Sequence, residues 1–272
     1  MKNLSAIFLV LVFLVCPDLQ AQTTEKKNNT ELGKLFASFS EEESRLFPFQ
    51  ATIRGDNRYN DLYPAVFTDS YQDKLKTFYT QYLTALSKFK RAGLSENDRL
   101  SYDIFKWRLE MSVEGLMQKD NRLPFDQAFA SASLQFAQLG SGAVVQPFKT
   151  VNDYHNWIRR ATAFSAWADS AIVYFRKGMA EGIVLPQILV TKMIPQMVSF
   201  VTDDATKSVF YGPITNLPKD FSTSEKEQLT TFYVKLINEQ LVPAYKRLHA
   251  FLQNEYLPKA RTTSGLSALP GG

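Results

Sequence analysis

The chain is poor in the residues from which catalytic and metal sites are usually built. Its single cysteine, Cys16, falls within the first 21 residues, and its two histidines, His155 and His249, stand 94 positions apart. A zinc motif carried on one helix needs two histidines about a turn apart with a carboxylate between them, so none exists here. No serine sits in a G-x-S-x-G elbow, and Gly140-Ser141-Gly142 lacks the lysine that a phosphate-cradling loop requires. Each histidine reads as an ordinary surface or boundary residue. No catalytic, cofactor-binding or metal-ligating residue is therefore assigned between Met1 and Gly272.

Charge of one sign is also missing. Lys and Arg number 31 against 27 Asp and Glu, a formal charge of +4. The two signs are interspersed without a basic stripe, which argues against nucleic acid as a partner. The one long apolar run, Ala6 to Val15, has 10 residues, well short of the ~20 that span a bilayer as a helix. With Lys2 ahead of it and Leu19-Gln20-Ala21 behind, it has the layout of a secretory signal peptide over residues 1–21. Cys16 would be the acylated residue of a lipoprotein, yet Phe13-Leu14-Val15 are bulkier than that site takes. The expectation is an exported protein, periplasmic or extracellular, with no stable membrane span once the leader is removed. Cleavage after Ala21 leaves 251 of the 272 residues and no thiol, so burial alone must hold the fold. At 45% hydrophobic and 13% aromatic residues, the core is well supplied.

What is present is helical periodicity. Residues 22–29 are polar and read as a flexible start, residues 30–263 as a helical domain, and residues 264–272 as a loop. Leu32, Leu35, Phe36, Phe39 and Leu46 mark a first helix ending before Pro48. Leu75, Phe78, Tyr79, Tyr82, Leu83, Leu86 and Phe89 mark a second, which Gly93 can terminate. Ser95 with Asp98 starts a third, whose single apolar face is Leu100, Ile104, Trp107 and Met111. Thr150 with Asp153 opens the clearest amphipathic stretch, from Tyr154 to Phe175, with Gly178 and Gly182 at its end. Ile188 to Val201 follows, and then Ser224 with Glu227 caps a helix that Pro243 kinks and that runs to Tyr256. The fold class expected is all-α, a multi-helix array of long amphipathic helices without significant sheet.

Two acidic clusters, Glu41-Glu42-Glu43 and Asp203-Asp204, read as solvated surface, because sequential carboxylates on a helix point apart. Arg54-Gly55-Asp56 spells a cell-attachment tripeptide, but three residues carry little information. The surrounding loop, Ala51 to Asn60, joins two helices with charges, a glycine and an aromatic, and is expected to pin them together.

That loop also carries a resemblance. Phe47-Pro48, Ala51-Thr52, Gly55-Asp56, Arg58-Tyr59 and Asn60-Asp61 resemble the opening signature of the bacterial family known as domain of unknown function 885. Leu100 to Ile104, Leu123-Pro124, Tyr154 to Arg160, Gly178, Gly182 and Pro186 follow in the family's order. Tyr256 to Arg261, Gly265 and Leu269-Pro270-Gly271 are similar to its approach to a second part. The family resembles helical zinc metallopeptidases, with an H-E-x-x-P-G-H-H signature in that second part. This sequence does not reach it, so no family metal ligand transfers to any position here. The resemblance implies the amino-terminal scaffold of an exported zinc-metallopeptidase-like protein, inactive alone, with Zn²⁺ held only by carboxy-terminal residues beyond Gly272 and a peptide as the complete protein's substrate. The alternative is a secreted, non-catalytic helical binding or interaction protein.

Overall fold

A computed structural model describes residues 29–128 and 131–271. The expected leader, with Cys16, and the expected flexible stretch up to Asn28 lie outside the described residues. Among those described, the architecture is all-helical, and the one isolated bridge pairs Pro186 with Arg261. No described helix is long and apolar enough to cross a membrane.

Helix α1, Thr30–Leu46, starts at Asn29, whose Oδ1 accepts from the N–H groups of Glu31 and Leu32, satisfying donors that a helix start leaves free. It packs with α3, Asp69–Leu86, and α4, Glu96–Gly115, around a small aromatic core. There the Phe39 ring meets Phe78, Tyr82 and Phe105 at centroid distances of 5.0, 5.1 and 4.9 Å, separations typical of favourable aromatic pairs. The larger core surrounds α6, Val151–Glu181, a 31-residue helix. Its capping box of Thr150 and Asp153 forms as the sequence implies, and Gly182 closes it at φ 74°, a left-handed conformation that favours glycine. Helices α5, Ala132–Gly140, α9, Thr223–Leu236, and α10, Val242–Phe251, bury their apolar faces against it, and α7, Gln187–Val198, joins the same core by packing on α10.

Several expectations are corrected. Residues Pro48–Ile53 form a short helix, α2, inside the expected loop; Pro48 opens it, where no backbone N–H is needed. Gly178 lies within α6 instead of ending it, and a Cβ there would stand 2.6 Å from Ile183 O and 2.8 Å from Arg122 O. The capping box of α9 is Ser222 with Glu225, two residues ahead of the Ser224 and Glu227 pair. Pro243, as the sequence implies, does not end its helix: a π-helical turn over Ile237–Leu241 leads into α10, and the chain runs on to a second such turn at Leu252–Tyr256. A wider turn beside a residue that cannot donate is one way the ladder absorbs proline.

The largest correction concerns α4. Leu100, Ile104, Trp107 and Met111 do share one face, but that face is 60%, 58%, 64% and 41% exposed. The buried face carries Phe105 and Leu109, with Tyr102, Val113 and Leu116 packed beside them. Both sets recur at three- and four-residue steps, so periodicity alone could not choose between them. A four-residue helix, α8, Gly212–Thr215, precedes α9.

Candidate functional site

The chemically richest place in the fold is built by α6 on the expected pinning loop. Arg160 projects from α6 into the interior and is wholly buried. Its five contacts reach across the sequence: Nε donates to Leu62 O at 3.0 Å, and Nη1 to Gln146 Oε1 at 2.9 Å. Nη2 faces Tyr59 O at 2.8 Å, Thr52 Oγ1 at 3.1 Å and Pro48 O at 3.3 Å. The Thr52 hydroxyl in turn reaches Asn60 Oδ1 at 2.6 Å. None of these acceptors is a carboxylate. Burial therefore pushes the Arg160 guanidinium down to about 10, against which Tyr63 and Asp61 pull upward. Three main-chain carbonyls at the signature loop converge on this one side chain; Pro48 O also accepts from the Thr52 hydroxyl at 3.0 Å and Tyr59 O from the Leu62 N–H at 3.2 Å.

The outer side of the loop is tied to α1. Arg58 grips Glu41 with two hydrogen bonds, 2.8 and 2.7 Å, while also reaching Asp56 at 2.9 and 2.8 Å, and Tyr59 OH donates to Glu41 at 2.8 Å. The Arg58 guanidinium, then the Tyr59 hydroxyl, hold the Glu41 carboxyl below its ordinary range. Asp56 is thus occupied within its own turn, where Gly55 takes φ 86°, and Arg54-Gly55-Asp56 is a structural turn. Glu42 accepts from Tyr82 OH at 3.0 Å and Glu43 pairs with Arg108, so the three consecutive acids face three different partners.

Two concavities share residues with this centre. One, of about 220 Å³, is walled by Phe47, Pro48, Phe49, Gln50, Tyr63 and Trp167. The other, of about 440 Å³, is lined by Asn57, Gln146, Phe148, Lys149, Tyr154 and Asn216 among others. Gln146 is 2% exposed, and with Oε1 committed to Arg160 its Nε2 is buried without a hydrogen-bond partner. The amide orientation is fixed by chemistry, since the opposite one would turn donors toward a guanidinium that can only donate.

Among the described residues, no three His, Cys, Asp or Glu side chains are grouped to hold a metal ion. His155 is half-buried on α6 with its ring 6.4 Å from Phe232, and His249 is half-buried on α10. Asp203 faces Lys246 at 3.5 Å, and Asp204 caps the turn at Thr206. Sequence reasoning missed Arg160 as the organiser of the loop. A signal was present: Arg160 stands three residues after Trp157 and four before Phe164, on the buried stripe of α6.

A model of the family described as "Bacterial protein of unknown function (DUF885)" matches residues 48–272. No curated protein matches the chain. Solved structures do, among them "the putative lipoprotein from Colwellia psychrerythraea", with a TM-score of 0.71 at 14% identity. That superposition covers 88% of this chain and 43% of the other, so the present chain spans less than half the length of the structure it resembles. At such low identity the likeness is one of fold.

Proposed function

The chain belongs to the bacterial family of unknown function DUF885, and from that membership we propose that it is the exported helical scaffold of a zinc-metallopeptidase-like protein, forming a wall of its peptide cleft. The observation that carries this reading is the coverage: the fold accounts for most of this chain yet only 43% of a similar solved one. The remainder of a complete protein is then the place for a metal site. A Zn²⁺ bound there would polarise a peptide carbonyl and activate water. The present residues would supply shape. Arg160 holds the signature loop rigid, and the loop lends Pro48 and Phe49 to one concavity and Asn57 to the other. The description of the solved relative as a lipoprotein supports export, in line with the leader-like residues 1–21.

The test is the encoding DNA beyond codon 272, together with metal analysis of the protein it specifies. A downstream frame with a histidine-glutamate motif, and a protein that binds zinc stoichiometrically and cleaves peptides, is the expected result. A continuing frame without such a motif removes the reading.

A second reading, a secreted non-catalytic binding protein, draws on the 440 Å³ concavity and the unpartnered Gln146 Nε2, which a peptide-like acceptor could satisfy. It expects residues 22–272 alone to unfold cooperatively and to leave an apolar dye unbound. Strong dye binding would favour the scaffold.

A further inference from the structure

We propose that the concavity beside Gln146 is a binding site for a carboxylate carried on an apolar stem, with the Gln146 side-chain amide as its buried donor. The inference rests on the concavity of the second reading above and adds the chemistry of what enters it.

A chain of donors leads to the site. Arg160 Nη1 donates to Gln146 Oε1 at 2.9 Å, so the amide is fixed with one arm toward a cation. Its other arm, Nε2, is buried without a hydrogen-bond partner, and Gln146 lines the concavity. Unused N–H groups in an interior are costly, and a ligand oxygen that accepts from them removes the cost. The guanidinium behind the amide polarises it and strengthens Nε2 as a donor, and an anion gains more from such a donor than a neutral carbonyl does. Asn57, on the same lining, gives its Oδ1 to the Asn60 side-chain amide at 3.0 Å, which leaves its own N–H groups for a second ligand oxygen.

The charge around the concavity has one sign. Arg160 is wholly buried and its acceptors are all neutral. Lys149, an exposed residue, lines the concavity itself. The acids of the neighbouring turns are committed elsewhere: Asp56 to Arg58 at 2.8 Å, Asp61 to Arg159 at 3.5 Å, and Asp153 to the Lys149 and Thr150 N–H groups at 3.0 and 2.8 Å. A carboxylate one hydrogen bond beyond Gln146 would offset the charge that burial disfavours at Arg160.

The apolar stem has its wall in Phe148, Tyr154 and Pro213. The Phe148 and Tyr154 rings meet at 5.3 Å, and the Tyr154 hydroxyl is spent on Pro213 O at 3.1 Å, so these residues present carbon to the concavity. A volume of about 440 Å³ lies within the roughly 300–1,000 Å³ of small-ligand sites.

Calorimetric titration of the protein with N-acetyl-phenylalanine, with its C-terminal amide and with hydrocinnamate tests the site. The expected result is saturable one-to-one binding of the carboxylates, with the amide weaker by about tenfold or more. Gln146→Glu exchanges the donor for a carboxylate that pairs with Arg160; it should unfold in urea no earlier than the parent and bind about tenfold or more weakly. Lys149→Ala, at an exposed position, should bind about two- to fivefold more weakly, and it alone decides if Gln146→Glu fails to fold. Tighter binding of N-acetyl-phenylalanine than of hydrocinnamate supports the site with a peptide C-terminus as its ligand, and the reverse order supports it with a free carboxylic acid. No saturation by either carboxylate, equal affinity for the amide, or unchanged affinity in a folded variant overturns the proposal. A protein that unfolds cooperatively and leaves the dye unbound but ignores carboxylates loses only this site, whereas one that binds the dye strongly and still takes the carboxylate loses only the second reading.

Discussion

Replacing Arg160 with methionine tests whether one cation organises the signature loop. The substitution keeps much of the side chain's bulk and removes five donors from a fully buried position. Two effects oppose each other. The fall of the guanidinium from 12.5 to about 10 means that the fold carries about 3 kcal/mol of disfavoured charge, which methionine would relieve. Against that, Leu62 O would lose its donor in the interior at about 1–3 kcal/mol, while Pro48 O keeps the Thr52 hydroxyl at 3.0 Å and Tyr59 O keeps the Leu62 N–H at 3.2 Å. Gln146 Oε1 and Thr52 Oγ1 would add to the deficit. Main-chain carbonyls cannot be mutated away, so the usual rescue of a buried charge by an apolar set is closed here. The net expectation is a loss of about 2–3 kcal/mol, a large share of the 5–15 kcal/mol typical of a domain. Urea unfolding followed by circular dichroism reads the loss, and limited proteolysis reads whether cleavage concentrates between Arg54 and Leu62. A variant within about 1 kcal/mol of the parent, with the loop still protected, would refute the reasoning.

Three further outcomes follow from particular contacts. Asp69, the first residue of α3, faces Lys177 at 2.7 Å and Arg122 at 3.1 Å; Lys177 first, then Arg122 and Tyr174, hold its carboxyl down to about 2 against an ordinary 3.8. Its stabilising effect is present above pH 4 and lost as pH falls toward 2, and because the side chain is 52% exposed the worth is below about 1 kcal/mol; acid titrations of the parent and Asp69→Asn should converge at the low end. Gly140→Ala should cost about 2 kcal/mol or more despite alanine's better helix propensity, since the new Cβ would overlap the Trp157 ring and lie 2.6 Å from Phe210 Cδ1; an unchanged melting temperature would contradict this packing. On α4, Leu109→Ala should cost about 2–4 kcal/mol and Ile104→Ser within about 0.5 kcal/mol in the 272-residue chain, and the reverse order would mean the helix is rotated.

The long helices were legible because local and tertiary signals agreed. Thr150 and Asp153 announce α6 by chemistry that needs no tertiary partner, and the stripe from Tyr154 to Phe175 has one face to bury. On α4 the signals conflicted: two apolar rows satisfy the same period, and the choice was made by Phe39 and Phe36, which meet Phe105 edge to face from a helix nearly 70 residues earlier in the chain. The two-residue error at Ser224 has a similar origin, since Ser222-x-x-Glu225 and Ser224-x-x-Glu227 are equivalent as strings and only the position of Leu229 against the core separates them. The site was legible in part. The loop from Ala51 to Asn60 could be singled out by composition, whereas its acceptors are main-chain carbonyls and carry no sequence signal of their own.

That last point bears on why so costly a residue occupies α6. A hydrophobic side chain at position 160 could fill the space, and the helix would form equally well, yet nothing would then select one path for the chain from Pro48 to Leu62. Carbonyl oxygens are identical along a backbone, and only a donor array with fixed directions discriminates which three of them point inward. Arg160 supplies that selection, and Arg58 on the outer side closes the turn against α1. The loop is thereby held from two directions by groups that would not tolerate a shifted register. A loop needed only as a connector would gain nothing from such restraint. A loop whose Pro48, Phe49 and Asn57 must present fixed walls to two concavities would, which is why the energetic cost at Arg160 points to the surface it shapes rather than to the stability of the helices it joins.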